Sequence, residues 1–501
     1  MKAHSANLGA VIGGMDSNGA GTRLPLLRPG QPEDVIAWRG KRPITRREFL
    51  RDLAALTARL PDRSHVLNHC EDRYQFLVGL AAALTRGQVS LFPSNRAPEV
   101  LAQLTRDYPG VYCLTDQRTP GRSPSATKHM DVRERPPDEA AVMPVCAYDT
   151  SGTFAEAQDP AFPAEQLVAI AFTSGSTGVP KPYPKYWGGI VHETRIAGER
   201  LGLDARRAGQ EPKCREAHGC ARAAGGQILA TVPAQHMYGF VYSVILPAQW
   251  GYAIGAERPF YPEDIRRALV ALPGPAILVT TPVHIRACVL DGVRLPPLDF
   301  ILTSTAPLDA VLAAQTEALY GTHVQEFYGS TETGAIAARR QAETTVWRTF
   351  ADIRVVPVDD GFRVEAPYLP ESMVLADHAD VLNEREFVLY GRNADIIKIA
   401  GKRITLGDLN HQLLAIEGVV DGTFFLPDAE SGREPRLAAF VVAPGRRRED
   451  ILDSLRSRID PVFLPRPLRL VEALPRNATG KLPRANLLQL LRETGEKEAM
   501  E

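Results

Sequence analysis

The chain has no apolar run long enough to span a bilayer. Its longest candidate, Phe76 to Leu84, falls far short of the ~20 residues a membrane helix needs. Its six cysteines, Cys70, Cys113, Cys146, Cys214, Cys220 and Cys288, include no Cys-x-x-Cys pair, and Cys214 and Cys220 lack a second pair at zinc spacing. That excludes the usual structural zinc motifs and makes free thiols of a reducing compartment the simplest account. An excess of charge is missing as well. Lys and Arg number 58 against 59 Asp and Glu, a net charge of −1. Neither nucleic acid nor an anionic membrane surface is expected as a partner. The run Arg446-Arg447-Arg448 reads as a solvated turn. No apolar core follows Lys2, so no secretory signal is expected. The expectation is a soluble cytoplasmic protein without membrane insertion.

At 501 residues the chain exceeds what one hydrophobic core organises, and several subdomains are expected. Val35-Ile36-Ala37-Trp38 reads as a strand. Thr45, with Glu48 three residues on, has the form of a capping box and opens a helix running to about Leu60. Strand-like runs then alternate with helical patterns, as in Ile228–Val232, Ala276–Thr280 and Phe300–Thr303. This alternation predicts an α/β fold with largely parallel sheets. Two stretches lack a period: 115–163, rich in Pro, Ser and charge, and 204–225, rich in Arg, Ala and Gly. Both read as surface loops. After Gly391-Arg392 a segment of roughly a hundred residues remains, a usual domain size. A helix over Leu406–Ile416 and strands over Gly422–Leu426 and Leu437–Val442 make it α+β.

Residues 173–181 read Thr-Ser-Gly-Ser-Thr-Gly-Val-Pro-Lys and follow the apolar run Leu167–Phe172, short enough for a buried strand. Glycines let the backbone turn its N–H groups toward an anion, hydroxyls add donors without bulk, and lysine supplies a charge suited to phosphate. The order is not that of the Gly-x-x-x-x-Gly-Lys-Ser/Thr loop, because Pro182 follows Lys181 and Gly178 stands three residues before it. On its own the segment is either a triphosphate loop of another kind or a Ser/Gly-rich surface turn.

Three more blocks follow in order: Phe327-Tyr328-Gly329-Ser330-Thr331-Glu332-Thr333-Gly334, then residues 390–404 beginning Tyr390-Gly391-Arg392, then Leu474-Pro475-Arg476-Asn477-Ala478-Thr479-Gly480-Lys481-Leu482. Together with 173–181 they resemble the adenylate-forming superfamily of acyl-CoA synthetases, aryl acid ligases and adenylation domains. The four blocks span most of the chain. The resemblance implies an α/β fold with a large N-terminal domain, residues 1–391, of stacked mixed sheets and helices that binds ATP and an acid. A small, mobile α+β lid domain, residues 392–501, would carry the catalytic lysine. It also implies a reaction in two halves. A carboxylate attacks the α-phosphate of ATP and expels pyrophosphate; a thiol then attacks the acyl-adenylate and releases AMP.

By the same resemblance Lys481 is the catalytic residue that bridges carboxylate and α-phosphate, against the plainer reading of a surface lysine in a Thr-Gly turn. Thr173, Ser174, Gly175, Ser176, Thr177 and Gly178 would hold the phosphates, and Lys181 would neutralise departing pyrophosphate. Glu332, with Thr177, would hold Mg2+. Ser304-Thr305-Ala306-Pro307 would line the adenine and Tyr328 stack on it, beside Gly329, Ser330 and Thr331. Asp377 would bind the ribose hydroxyls, with Asp380 a near competitor and Arg392 the second ribose contact. Gly401 and Arg403 would face the site for the thiol step. The family has Asp or Lys two residues after the arginine at position 392, at the lid's pivot. Here Ala394 stands there, with Asp395 one step on.

The segment His236-Met237-Tyr238-Gly239 resembles the family's acyl-pocket wall, and Thr281-Pro282-Val283-His284 could form another; a lone His beside apolar residues is otherwise a core histidine. The same segment and the run Lys398–Arg403 are similar to a bacterial subgroup of aryl polyene and xanthomonadin-type pigment pathways. That likeness implies a small aryl acid such as a hydroxybenzoate as substrate. CoA or the phosphopantetheine of an acyl carrier protein would be the acceptor. The alternatives are a medium- or long-chain fatty acid ligase and, in another class, a non-catalytic nucleotide-binding homologue.

Overall fold

The computed structural model describes residues 21–93, 98–117, 143–173, 181–204, 226–359, 361–392, 396–399, 402–427, 436–477 and 482–500. The stretch 205–225, read above as a loop, lies outside them. Local signals set the first elements. The Thr45 side chain accepts from the Glu48 amide, and the Glu48 carboxylate accepts from the Thr45 amide at 2.9 Å, closing the capping box. The helix Arg46–Arg59 that follows buries Phe49, Leu50, Leu53 and Leu56. Asp72 caps the next helix, Arg73–Thr85, whose residues from Phe76 to Leu84 are all buried. The apolar run without membrane length is thus a core helix. Among the described residues no helix is long and apolar enough to cross a membrane.

Two large sheets carry the first 392 residues. The smaller has six strands, in the order Lys181–Tyr186, Leu167–Thr173, Val89–Phe92, His65–Asn68, Tyr112–Thr115 and Val145–Ala147. Its pairs are parallel except the first, where Lys181–Tyr186 runs back along Leu167–Thr173. Lys181–Tyr186 is therefore an edge strand. The ladder is unbroken from Lys181 to Lys185 although Pro182 and Pro184 interrupt the run of donors. Both prolines thus take positions whose missing N–H would have faced outward.

The larger sheet has eleven strands. Six central ones, Val35–Arg39, Ala253–Gly255, Gln227–Ala230, Ala276–Thr280, Leu298–Thr303 and Val324–Ser330, are parallel. Antiparallel strands extend both flanks, ending in the pair Asp377–Asn383 and Glu386–Arg392. The expectation of largely parallel sheets holds for the centres and not for the margins. The stretch expected as one loop over 115–163 holds two short strands among its described residues. Val145–Ala147 adds to the edge of the six-stranded sheet, and Ala161–Pro163 pairs with Arg23–Pro25. Backbone pairing at an available edge orders triplets too short to show a hydrophobic period.

Beyond residue 396, described residues form two further cores. One gathers Ile397, Leu409, Leu413, Phe424, Ala439 and Val441, the other Phe425, Phe440 and Leu487. They pack on the strands Asp421–Phe425, Ala438–Val442 and Leu468–Leu470 and on the helix Leu406–Leu414. Among the described residues, a side-chain contact links this segment to the larger sheet's helices: His411 Nε2 stands 2.9 Å from Asp309 Oδ2.

The two large sheets are locked by a buried arginine. Arg73, 1% exposed at the start of its helix, donates to the carbonyls of Ala230 (3.1 Å) and Val232 (2.8 Å) and to the Ser243 hydroxyl. Those carbonyls end a central parallel strand, so one guanidinium ties the six-stranded side to the carboxyl edge of the other sheet. Arg73→Leu leaves these acceptors buried and unpaired. We expect a loss of about 3 kcal/mol, read as a fall in thermal midpoint with no gain from added salt.

Candidate active site

In α/β sheets ligands collect at the carboxyl ends of the parallel strands. Here five such ends carry the residues singled out above. Leu167–Thr173 ends at Thr173, Gln227–Ala230 runs on to His236, Ala276–Thr280 to His284, Leu298–Thr303 to Ser304–Pro307, and Val324–Ser330 ends at the Glu332 turn. Thr173 and Lys181 are direct cross-strand partners. They form the base of the hairpin whose tip, 174–180 with Ser174, Gly175, Ser176, Thr177 and Gly178, lies outside the described residues. Lys181 is exposed at that base.

Ser330 and Thr333 close the Glu332 turn through mutual hydroxyl and amide contacts of 3.1–3.2 Å. Gly334 follows with φ +70°, and a Cβ there would stand 2.5 Å from Glu193 Oε2. Only glycine fits on both counts. Tyr368 donates from below to the carbonyl of Thr333 at 3.0 Å. Glu332 itself meets the return strand of that hairpin. Lys185, on the hairpin's return strand, donates to the Glu332 carbonyl at 3.0 Å. The phenol of Tyr183 lies against the Glu332 carboxylate; burial and that carboxylate together raise its pKa. The fold thus joins two segments 147 residues apart in sequence.

The expected adenine segment is held just as firmly. Ser304 Oγ donates to the Phe327 carbonyl at 2.9 Å, and the Leu308 amide donates to Glu326 Oε1 at 2.8 Å. Between them Thr305 has φ +79°, an outlier for a β-branched residue. Glu326 also accepts from Arg339 at 2.7 Å, both side chains being buried, and the Arg339 guanidinium lies 4.2 Å over the Trp347 ring. Trp347 in turn tilts against Tyr328 at 5.5 Å, with Phe387 at 5.7 Å. Tyr328 is half-buried: it closes an aromatic cluster and keeps part of its surface open beside Gly329, Ser330 and Thr331.

Asp377 begins one strand of the outermost pair and Arg392 ends the other, and the two are cross-strand partners. Asp380, the competitor, accepts the Tyr390 hydroxyl at 2.8 Å instead. The Arg392 and Arg403 side chains, and Ala394, Asp395, Gly401 and Lys481, lie outside the described residues. Arg403 belongs by its backbone to Lys402–Thr405, opposite Lys398.

On the acid side, His236 and Met237 are half-buried at the start of a short helix whose Gly239 packs on Pro233. A Cβ on Gly239 would stand 2.0 Å from the Pro233 carbonyl. Tyr238 is buried and its hydroxyl donates to the Leu302 carbonyl at 2.9 Å. It shapes the wall with its ring and has no free polar end. His284 is buried, bonded through Nδ1 to the Thr281 hydroxyl at 2.8 Å, with its ring edge on Phe260 at 5.2 Å. Its Nε2 has no hydrogen-bond partner among the described residues. Burial, then the nearby charge of Arg258, lowers its pKa to about 4.

Among the described residues no three His, Cys, Asp or Glu side chains cluster to hold a metal by themselves. A carboxylate beside the expected phosphate loop, such as that of Glu332, would suit Mg2+, which binds through one or two carboxylates plus phosphate oxygens. Lys185, Tyr183, Glu193 and the Glu326–Arg339 pair were not singled out from sequence. For the first two the signal was present: Lys181, Tyr183 and Lys185 alternate with prolines and so share one face of a strand.

The family model described as AMP-binding enzyme matches residues 30–363, more than half of the chain. The chain belongs to that family. AMP-binding enzymes of this type are AMP-forming acid–thiol ligases, and the present chain is one of them. It is 28% identical over 327 residues to a 4-coumarate--CoA ligase of Halorhodospira halophila, covering 62% of this chain and 73% of the relative. It is 29% identical to a 4-coumarate--CoA ligase of Rhodobacter capsulatus, covering 63% and 75%. Among solved structures it superposes on the o-succinylbenzoate CoA synthetase of Bacillus subtilis, in complex with its acyl-adenylate, with a TM-score of 0.70 at 16% identity, covering 91% of this chain and 95% of that one. An anthranilate CoA ligase in complex with anthranoyl-AMP gives 0.69 at 14%, covering 93% and 98%. The fold of this AMP-binding enzyme is that of the adenylate-forming ligases.

Two predictions follow from the buried groups. His284 stays neutral down to about pH 4 in the folded chain, while in the unfolded chain it takes a proton near 6.5. Its contribution is nil above 6.5 and destabilising as pH falls from there to 4. His284→Gln therefore shows a shallower loss of thermal midpoint between pH 6.5 and 4.5 than the parent. Glu326→Ala leaves Arg339 buried without its partner and costs about 3–5 kcal/mol. The double change Glu326→Ala, Arg339→Met recovers most of that in denaturant titrations.

Proposed function

We propose that the chain activates a small aromatic carboxylic acid, a hydroxybenzoate or hydroxycinnamate, as its acyl-adenylate and passes the acyl group to a thiol. The acceptor is the phosphopantetheine of a carrier protein or CoA. The observation that carries this reading is the meeting of the Thr173–Lys181 hairpin base with the Glu332 turn. It provides one place for a triphosphate where charge can be neutralised and the α-phosphate held for in-line attack. In this reading the aryl acid lies against the half-buried His236 and Met237. Relatives named 4-coumarate--CoA ligase point the same way.

In this reading the acid's carboxylate attacks the α-phosphorus, the P–O bond to the β-phosphate breaks, and pyrophosphate leaves toward Lys181. Thr173 and the hydroxyls of 174–177 hold its oxygens. Ser304–Pro307 and Tyr328 fix the adenine, and Asp377 with Arg392 the ribose. Lys481, carried by a lid domain of residues 392–501, bridges the attacking carboxylate and the α-phosphate. Glu332 would hold Mg2+, which would supply positive charge to neutralise the phosphates. In the second half the thiol sulfur adds to the acyl carbon, the thiol proton is lost to solvent, and AMP departs.

Hydroxylamine trapping tests this. A panel of aryl and fatty acids, run with CoA and with carrier protein in parallel, should give hydroxamate with aryl acids above fatty acids. Lys481→Ala should keep its thermal midpoint and lose at least ~100-fold in adenylation. A preference for long-chain acids would replace the aryl reading, and ATP binding without turnover of any acid would leave a nucleotide-binding homologue.

A further inference from the structure

Beneath the Glu332 turn lies a polar cluster that the proposed chemistry does not use. Lys185 donates to the Glu332 carbonyl at 3.0 Å. Glu193, on the helix Trp187–Leu201 just after that strand, is buried; its Oε1 accepts the Ala335 amide at 2.9 Å and the Tyr242 hydroxyl at 2.8 Å. The turn is therefore gripped at both ends by one continuous stretch of chain, 181–201, whose first residue is the lysine at the phosphate hairpin. Gly334 leaves the space that lets Glu193 come so close.

We propose that Lys185 is a positioning residue for the reaction. Its ammonium fixes the Glu332 carbonyl and, with Glu193 on the Ala335 amide, sets how far the Glu332 carboxylate stands from the phosphate hairpin. The inference rests on the reading of Glu332 as the residue that meets Mg2+. It adds what that reading lacks, a reason why a carboxylate on an eleven-stranded sheet keeps its distance to a loop on another. A carboxylate at the tip of a turn is free to swing about its backbone; a bond to its own carbonyl from the opposing strand removes that freedom. A lysine suits the task because its point charge reaches a single carbonyl without the forked geometry of arginine.

The test compares Lys185→Met, Lys185→Met with Glu193→Gln, and Glu332→Gln with the parent. The first readout is hydrogen exchange of the amides of 331–335 without nucleotide. The second is calorimetric ATP binding with and without Mg2+. Loss of an outer partner typically weakens metal affinity 10–100-fold, so both Lys185 variants should show roughly tenfold weaker dependence on Mg2+ and faster exchange confined to the turn. ATP binding without metal should be unchanged. Unchanged exchange and unchanged Mg2+ dependence in a folded Lys185→Met would overturn the proposal. So would failure of both Lys185 variants to fold, since the pair would then carry the fold rather than the turn. If Glu332→Gln itself leaves the Mg2+ dependence intact, the reading of Glu332 falls, while the exchange data still decide what Lys185 does.

Discussion

Two sheets built from different parts of the chain face each other, and buried polar bonds fix how they sit; the proposed triphosphate site needs that separation held. Apolar packing brings the sheets together but tolerates sliding, because one methyl contact is much like the next. A charged donor on a named carbonyl does not tolerate it. Arg73 on the carbonyls of Ala230 and Val232 and Lys185 on that of Glu332 are such bonds, and Glu193, accepting the Ala335 amide, acts in the same way. Each joins the six-stranded side to a carboxyl end in the other sheet, and each becomes costly if its partner moves away.

The same logic explains the adenine side. Glu326 satisfies two donors at once, the Leu308 amide and the Arg339 guanidinium. The guanidinium in turn backs Trp347 and through it Tyr328. This scaffold keeps Thr305 in a backbone conformation that costs of order 1–3 kcal/mol and persists only where surroundings over-determine it. Strain of this kind gathers at binding sites.

Local chemistry made much of this legible in the sequence. The capping box at Thr45 and Glu48 formed as read. The strand before Thr173 and those ending near Ala230, Thr280 and Thr303 stand within a few residues of their expected places. Their sequences carry a signal that needs no partner to be seen. What the sequence withheld depends on register. As letters, Asp380 is a near competitor of Asp377; the strand pairing sets Asp377 opposite Arg392, and Asp380 accepts from Tyr390. Tyr238 sits in the expected wall, yet its hydroxyl is taken by a strand 64 residues away. The triplets Val145–Ala147 and Ala161–Pro163 become strands only because an edge awaits them.

That edge logic has a counterpart at the other margin of the same sheet. Pro182 and Pro184 leave the outward side of the strand Lys181–Tyr186 without donors at alternate positions. A second polypeptide cannot extend the sheet there, by domain exchange or by aggregation, because the ladder it would need has missing rungs. Lys181 therefore stays exposed on a sheet margin whose ladder a neighbouring strand cannot continue.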